Sequence, residues 1–135
     1  LKVIDFGLAK MMEAGSVATT VAGTPMYIAP EVLNGSGHGT AVDWWAIGIL
    51  MFEMLFGVTP FWSKNGFDMR NKIQKAQLTF PSREKYTQFK YTDEVTELIS
   101  AFLNRDKTKR LGSTGGYKEV LAHPYFADVD VEAYL

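Results

Sequence analysis

Asp5 is the first residue with chemistry to offer. The apolar run Leu1-Lys2-Val3-Ile4 reads as a strand that Asp5 ends, and Gly7 lets the chain turn sharply. A carboxylate at such a turn can project into a cleft as a hard oxygen donor. A plain strand-ending turn accounts for the same residues. Ser16, Thr19 and Thr20 place hydroxyls in a loop rich in Gly, Ser and Thr over residues 13–24. Glu53 sets a carboxylate inside an otherwise apolar helix, where burial without a partner is costly. Other groups carry less. Gly35-x-Gly37-x-Gly39 follows a helix instead of a strand and lacks the Gly-x-Gly-x-x-Gly spacing of a phosphate loop. His38 and His123 have no ligand spacing around them, and Trp44, Trp45 and Trp62 read as packing. Arg105-Asp106 reads as a structural turn at a helix end.

The elements that must hold these residues follow from pattern and punctuation. Ala29-Pro30-Glu31-Val32-Leu33 predicts a short helix with proline in its first turn. After a flexible loop over residues 35–39 comes the strongest helix. Thr40-x-x-Asp43 fits a capping box at its start, and Gly57 closes it, with Pro60 beyond. It is apolar nearly all round and is expected to be buried. Further helices are expected over residues 67–76, 92–104 and 117–122, the last stopped by Pro124. In the second of these, Val95, Leu98, Ile99, Phe102 and Leu103 fall on one face, and Asp93 and Glu94 suit its N-terminal dipole. The expectation is one α+β domain over residues 1–135, mostly α-helical, with a short β element at its start.

Composition excludes several classes. The 135 residues carry 14 Lys and Arg against 15 Asp and Glu, for a net charge of −1. A general nucleic-acid or polybasic membrane binder would need a basic excess. Hydrophobic residues at 47% and charged residues at 21% describe a globular chain, not a disordered one. The absence of cysteine excludes disulfides and thiolate metal sites and fits a reducing, cytoplasmic compartment. The apolar stretch at residues 44–52 would make about 14 Å of helix, against the roughly 30 Å a bilayer requires, so no membrane span is expected. The chain begins at Leu1 on a strand already under way, which reads as an internal fragment of a longer protein.

Taken in order, Asp5-Phe6-Gly7, then Gly23-Thr24-Pro25-x-Tyr27-x-Ala29-Pro30-Glu31, then Asp43-Trp44-Trp45-Ala46-x-Gly48 resemble the signature set of eukaryotic protein kinases. The resemblance is to the second half of the catalytic domain. It continues through Leu103-x-Arg105-Asp106-x-x-x-Arg110-Leu111-Gly112 and His123-Pro124-x-Phe126. The Asp-Trp-Trp, Ala-Gly-Thr-Pro and Arg-Leu-Gly words are most similar to the AGC group of Ser/Thr kinases.

The resemblance implies a C-terminal lobe with an activation segment at residues 5–31 and a helical subdomain at 40–126. It implies that Asp5, with Phe6 and Gly7, serves ATP and Mg²⁺, the carboxylate being the metal ligand. Thr24 would contact the catalytic aspartate. Thr20 would be the activating phosphosite, acted on by an upstream kinase, with Lys10 as a cation for its phosphate; Ser16 and Thr19 remain plain loop hydroxyls. Val21, Pro25 and Ile28 would form the apolar pocket for the substrate residue after the phosphorylated hydroxyl. Glu53 would receive a substrate arginine, or else pair with an internal basic group. Asp43 would accept backbone amides of the catalytic loop, or act as the capping-box acid. Glu31 and Arg110 would meet as a buried ion pair, whereas a solvated basic turn at Lys109-Arg110 is the plainer alternative. The implied partners are protein substrates with Ser/Thr sites. The Gly-rich loop, the ATP-pairing lysine and the catalytic loop lie outside this chain, which alone would be inactive. The rival expectations are a pseudokinase scaffold that binds partners without catalysis and a non-kinase helical domain.

Overall fold

The computed structural model describes residues 2–13, 18, 25–85, 91–131 and 133. Five α-helices form the frame: α1 Pro30–Leu33, α2 Ala41–Phe56, α3 Gly66–Lys75, α4 Asp93–Phe102 and α5 Gly116–Leu121. Short 3₁₀ turns at Phe6–Leu8, Pro25–Tyr27, Arg83–Lys85 and Pro124–Phe126 lie between and around them.

The β element does not form among the described residues. Residues 2–4 run as exposed chain, with Val3 79% and Ile4 80% accessible. A strand exists only through hydrogen bonds to a neighbour, and these residues have none beside them. Among the described residues the one backbone bridge is Ala18 with His38, through bonds of 2.8 and 2.9 Å.

Helix α2 is the axle. Gly57 ends it at φ 74°, donating its N–H to Glu53 O, a left-handed closure that glycine adopts without strain. The expected capping box at its start is absent. Thr40 itself has helical angles (φ −60°, ψ −19°), so its hydroxyl is not aimed at the free amides and makes no capping bond. Burial is also one-sided. Trp45, Ile49, Phe52 and Phe56 are buried, whereas Ile47, Leu50 and Met54 are exposed, Met54 to 77%. No described residue covers that outer face.

The inner face meets α4, whose Val95, Leu98, Ile99 and Phe102 are buried as their spacing predicts. Close approach of the two helices requires Gly48. A Cβ there would lie 2.7 Å from Phe102 Cβ and 2.9 Å from Leu103 Cδ2. Phe52, Phe56, Phe80 and Tyr91 form an aromatic cluster with ring centroids 4.6–6.2 Å apart. A smaller core joins Leu98, Phe102 and Val120, with Trp44 stacked on Phe102 at 5.9 Å.

Helix α3 is capped at both ends by side chains. Asn65 Oδ1 accepts from Phe67 N and Asp68 N at 2.8 and 3.3 Å. At the other end Arg105 donates to Ile73 O (2.7 Å) and Lys72 O (3.1 Å) and also reaches Ala76 O. Burial lowers its pKa, and its guanidinium lies 5.3 Å from the ring centroid of Phe61. Arg105 thus serves the end of a different helix from the one it follows.

Candidate active site

Asp5 adopts φ 62°, ψ 73°, the only non-glycine residue with positive φ among those described. That conformation costs an L-residue roughly 1–2 kcal/mol, and aspartate tolerates it better than most. The strain turns the carboxylate away from the preceding chain, held by a 3.4 Å bond from Gly7 N. A Cβ on Gly7 would sit 3.3 Å from that carboxylate oxygen, so glycine leaves it room. Asp5, Phe6 and Lys10 line a hollow of about 470 Å³ together with His38, Thr40 and Asp43. Two carboxylates therefore line this space with one lysine and one histidine. Protein around the Asp43 carboxyl pushes its pKa up although the residue reaches solvent, and His38 partly offsets the effect. Asp43 accepts no hydrogen bond from a described residue.

The segment's far end is anchored on α1 and α2. Arg110 is fully buried and donates through Nη1 and Nη2 to Glu31 Oε1 and Oε2 at 2.7 and 2.9 Å. It also donates to Ala41 O (2.8 Å) and Asn104 O (2.9 Å), and its guanidinium lies 5.2 Å from the Trp45 ring centroid. Burial pushes the Glu31 pKa up, but the Arg110 bonds and nearby charges outweigh it, leaving the carboxyl below its ordinary range. The plainer alternative of a solvated basic turn does not hold for Arg110.

Between these anchors, Pro25 and Ile28 line a second cavity of about 230 Å³ with Val32, Leu33 and Arg70. Behind it, half-buried Glu53 accepts the Tyr27 hydroxyl on Oε2. That bond, with burial and the carboxylate's charge, pushes the Tyr27 pKa up to about 12. Among the described residues Glu53 has no basic partner, and Oε1 has no described partner. Ser16, Thr19, Thr20, Val21 and Thr24 lie outside the described residues.

The protein kinase domain family model matches residues 1–126. The chain belongs to the protein kinase family. Its relatives place it in the AGC Ser/Thr group. It is 45% identical over 130 residues to "Protein kinase 2" of Dictyostelium discoideum, covering 96% of this chain and 26% of that protein. It is 43% identical over 134 residues to the human "cAMP-dependent protein kinase catalytic subunit PRKX", covering 98% and 35%. It is 40% identical to "Serine/threonine-protein kinase gad8" of Schizosaccharomyces pombe, covering 96% and 22%. The chain thus spans about a third or less of each of these relatives.

Within this kinase chain, Asp5, Phe6 and Lys10 share one hollow with Asp43, and Pro25 and Ile28 share another cavity. Glu53 stands apart under Tyr27. Tyr27 and Arg70 are the functional candidates that residue-by-residue reading of the sequence overlooks. Tyr27 lies inside a recognisable word, Gly-Thr-Pro-x-Tyr, but nothing in the word names its partner. Arg70 carries no sequence signal, because its place beside the cavity is set only by how α3 packs.

Proposed function

We propose that this chain is the C-terminal lobe of a Ser/Thr protein kinase that transfers the ATP γ-phosphate to protein hydroxyls. The observation that carries the reading is Asp5, held in a strained conformation in the wall of a hollow that Lys10 and Asp43 also line. Strain at a single residue persists when surrounding structure and function demand it. A scaffold lobe has no such demand. An exposed hard oxygen donor fits Mg²⁺, which is commonly held by one or two carboxylates together with substrate phosphates. Bound there, Mg²⁺-ATP would supply the phosphoryl group and neutralise charge as it moves.

The chain's own residues do the rest. Asp5 fixes the metal position, with Phe6 and Gly7 shaping the turn that presents it. Thr24 contacts the catalytic base contributed by the rest of the kinase. The cavity at Pro25 and Ile28, with Val21, takes the apolar residue after the acceptor hydroxyl. Glu53 offers its remaining oxygen to a substrate arginine, so the kinase is basophilic. Phosphate on Thr20, facing Lys10, orders the activation segment of residues 5–31 against the helical subdomain of 40–126.

The test is a Ser/Thr peptide library presented to the purified full-length protein with ATP and Mg²⁺. The expected result is phosphate on Ser or Thr, with arginine favoured on the N-terminal side and an apolar residue directly after. Thr20→Ala should lower turnover strongly, while Ser16→Ala and Thr19→Ala do little. No transfer to any hydroxyl contradicts the proposal.

A further inference from the structure

We propose that Arg70 makes this kinase select substrates with a carboxylate one or two residues beyond the apolar residue that follows the acceptor hydroxyl. This rests on the kinase reading above and adds a specificity element to it. The cavity it concerns is lined by Pro25, Ile28, Val32 and Leu33, with Arg70 as the one charged residue in its wall. At about 230 Å³ it lies below the roughly 300 Å³ at which small-molecule pockets begin, so it suits one side chain of a peptide.

Arg70 is held where it is by a fixed helix. Met69 and Ile73 on α3 are buried in the main core, and Gln74 donates to Asn34 Oδ1 at 2.7 Å, tying α3 to the end of α1. Several other cations of the frame are engaged. Lys72 bonds Asp68 and Trp62 O, Arg83 bonds Asp93, and Arg105 and Arg110 hold backbone carbonyls. Arg70 is exposed and makes no ion pair or hydrogen bond with a described residue. A cation carried by an anchored helix beside an apolar cavity, and lacking a described partner, is matched by an apolar side chain with an acid close by. An extended peptide advances about 3.3 Å per residue, so an acid one or two positions past the seated side chain falls within the reach of an arginine. The planar guanidinium can take that carboxylate through two parallel bonds. A charge at a rim adds little absolute affinity but discriminates strongly by sign.

The test uses the full-length kinase and two peptides that differ at one position. Both carry Leu after the acceptor Ser, followed by Glu in one and Lys in the other. For the wild type, KM should be roughly fivefold lower for the Glu peptide, the size expected of an exposed ion pair. The gap should shrink at high salt. Arg70→Gln should flatten the ratio and Arg70→Glu should invert it. A wild-type ratio near one, or one unchanged in both variants, overturns the inference while leaving the kinase reading intact. If Arg70→Glu instead raises turnover of both peptides alike, a segment of the protein itself covers the cavity, and the inference fails. If the wild type phosphorylates no Ser/Thr acceptor at all, the kinase reading falls and takes the inference with it.

Discussion

Arg110 directs all of its bonds inward, to Glu31 from α1, Ala41 from α2 and Asn104 from the end of α4. A charge this deeply buried is stable only with its partner. Removing one side strands the other and should cost roughly 3–5 kcal/mol. Arg110→Ala and Glu31→Ala are therefore each expected to lower stability strongly, while the double variant loses much less than their sum. Denaturant unfolding of the four proteins checks this; additive losses contradict it. The same pair sets a pH dependence. The Glu31 pKa is lowered on folding, so its contribution is present at neutral pH and is lost as pH falls through and below the ordinary carboxylate range. Acid destabilisation should accordingly be shallower in Glu31→Gln than in the wild type. No spacing rule could have paired two residues 79 positions apart. Family resemblance brought them together on the sequence, whereas Tyr27 and Glu53, also distant, needed coordinates.

The words that mark this family in sequence are, at the element scale, contact requirements. The glycine of Asp-Trp-Trp-Ala-x-Gly is Gly48, where α2 touches α4. The glycine of Arg-Leu-Gly is Gly112, at φ 87°, where a Cβ would lie 2.5 Å from the Trp44 ring. Gly48→Ala must push Phe102 and Leu103 away, at a cost of about 1–3 kcal/mol. Gly66→Ala, at the first position of α3 with nothing within 4 Å, should leave stability equal or slightly higher. Thermal melts of the two variants compare these directly; equal effects would show that the α2–α4 contact is looser than its geometry.

Helix positions were legible because periodic burial and breakers are local. The apolar spacing of residues 92–104 gave α4, and Gly57 gave the end of α2. The start of α2 was not legible, since whether Thr40 caps depends on its backbone angles and not on its identity. Nor was the lack of a strand at residues 2–4, because pairing belongs to two segments and an apolar run reports on only one. The all-apolar look of α2 suggested burial on every side, yet a helix buries only the faces its neighbours reach.

At the scale of the whole molecule, the helical frame touches described parts of residues 5–31 at separate points. The Arg110–Glu31 pair fixes the segment's end, the Ala18–His38 bridge touches its middle, and Asp5 marks its beginning. Of the two cavities, the larger is lined by Asp5 and the smaller by Ile28. On the proposed reading, that arrangement would serve a transfer between a metal-bound phosphate at one end and a seated peptide at the other. On the proposed reading Asp5 serves the chemistry and not the fold, since its residue is exposed and, among the described residues, its carboxylate bonds only the Gly7 amide. Phosphate transfer to a Ser peptide by full-length Asp5→Asn, at saturating Mg²⁺ and beside a thermal melt, tests it most directly. The account predicts an unchanged melt with turnover reduced to less than about a tenth of wild type. Turnover near the wild-type rate, with the melt unchanged, would contradict it.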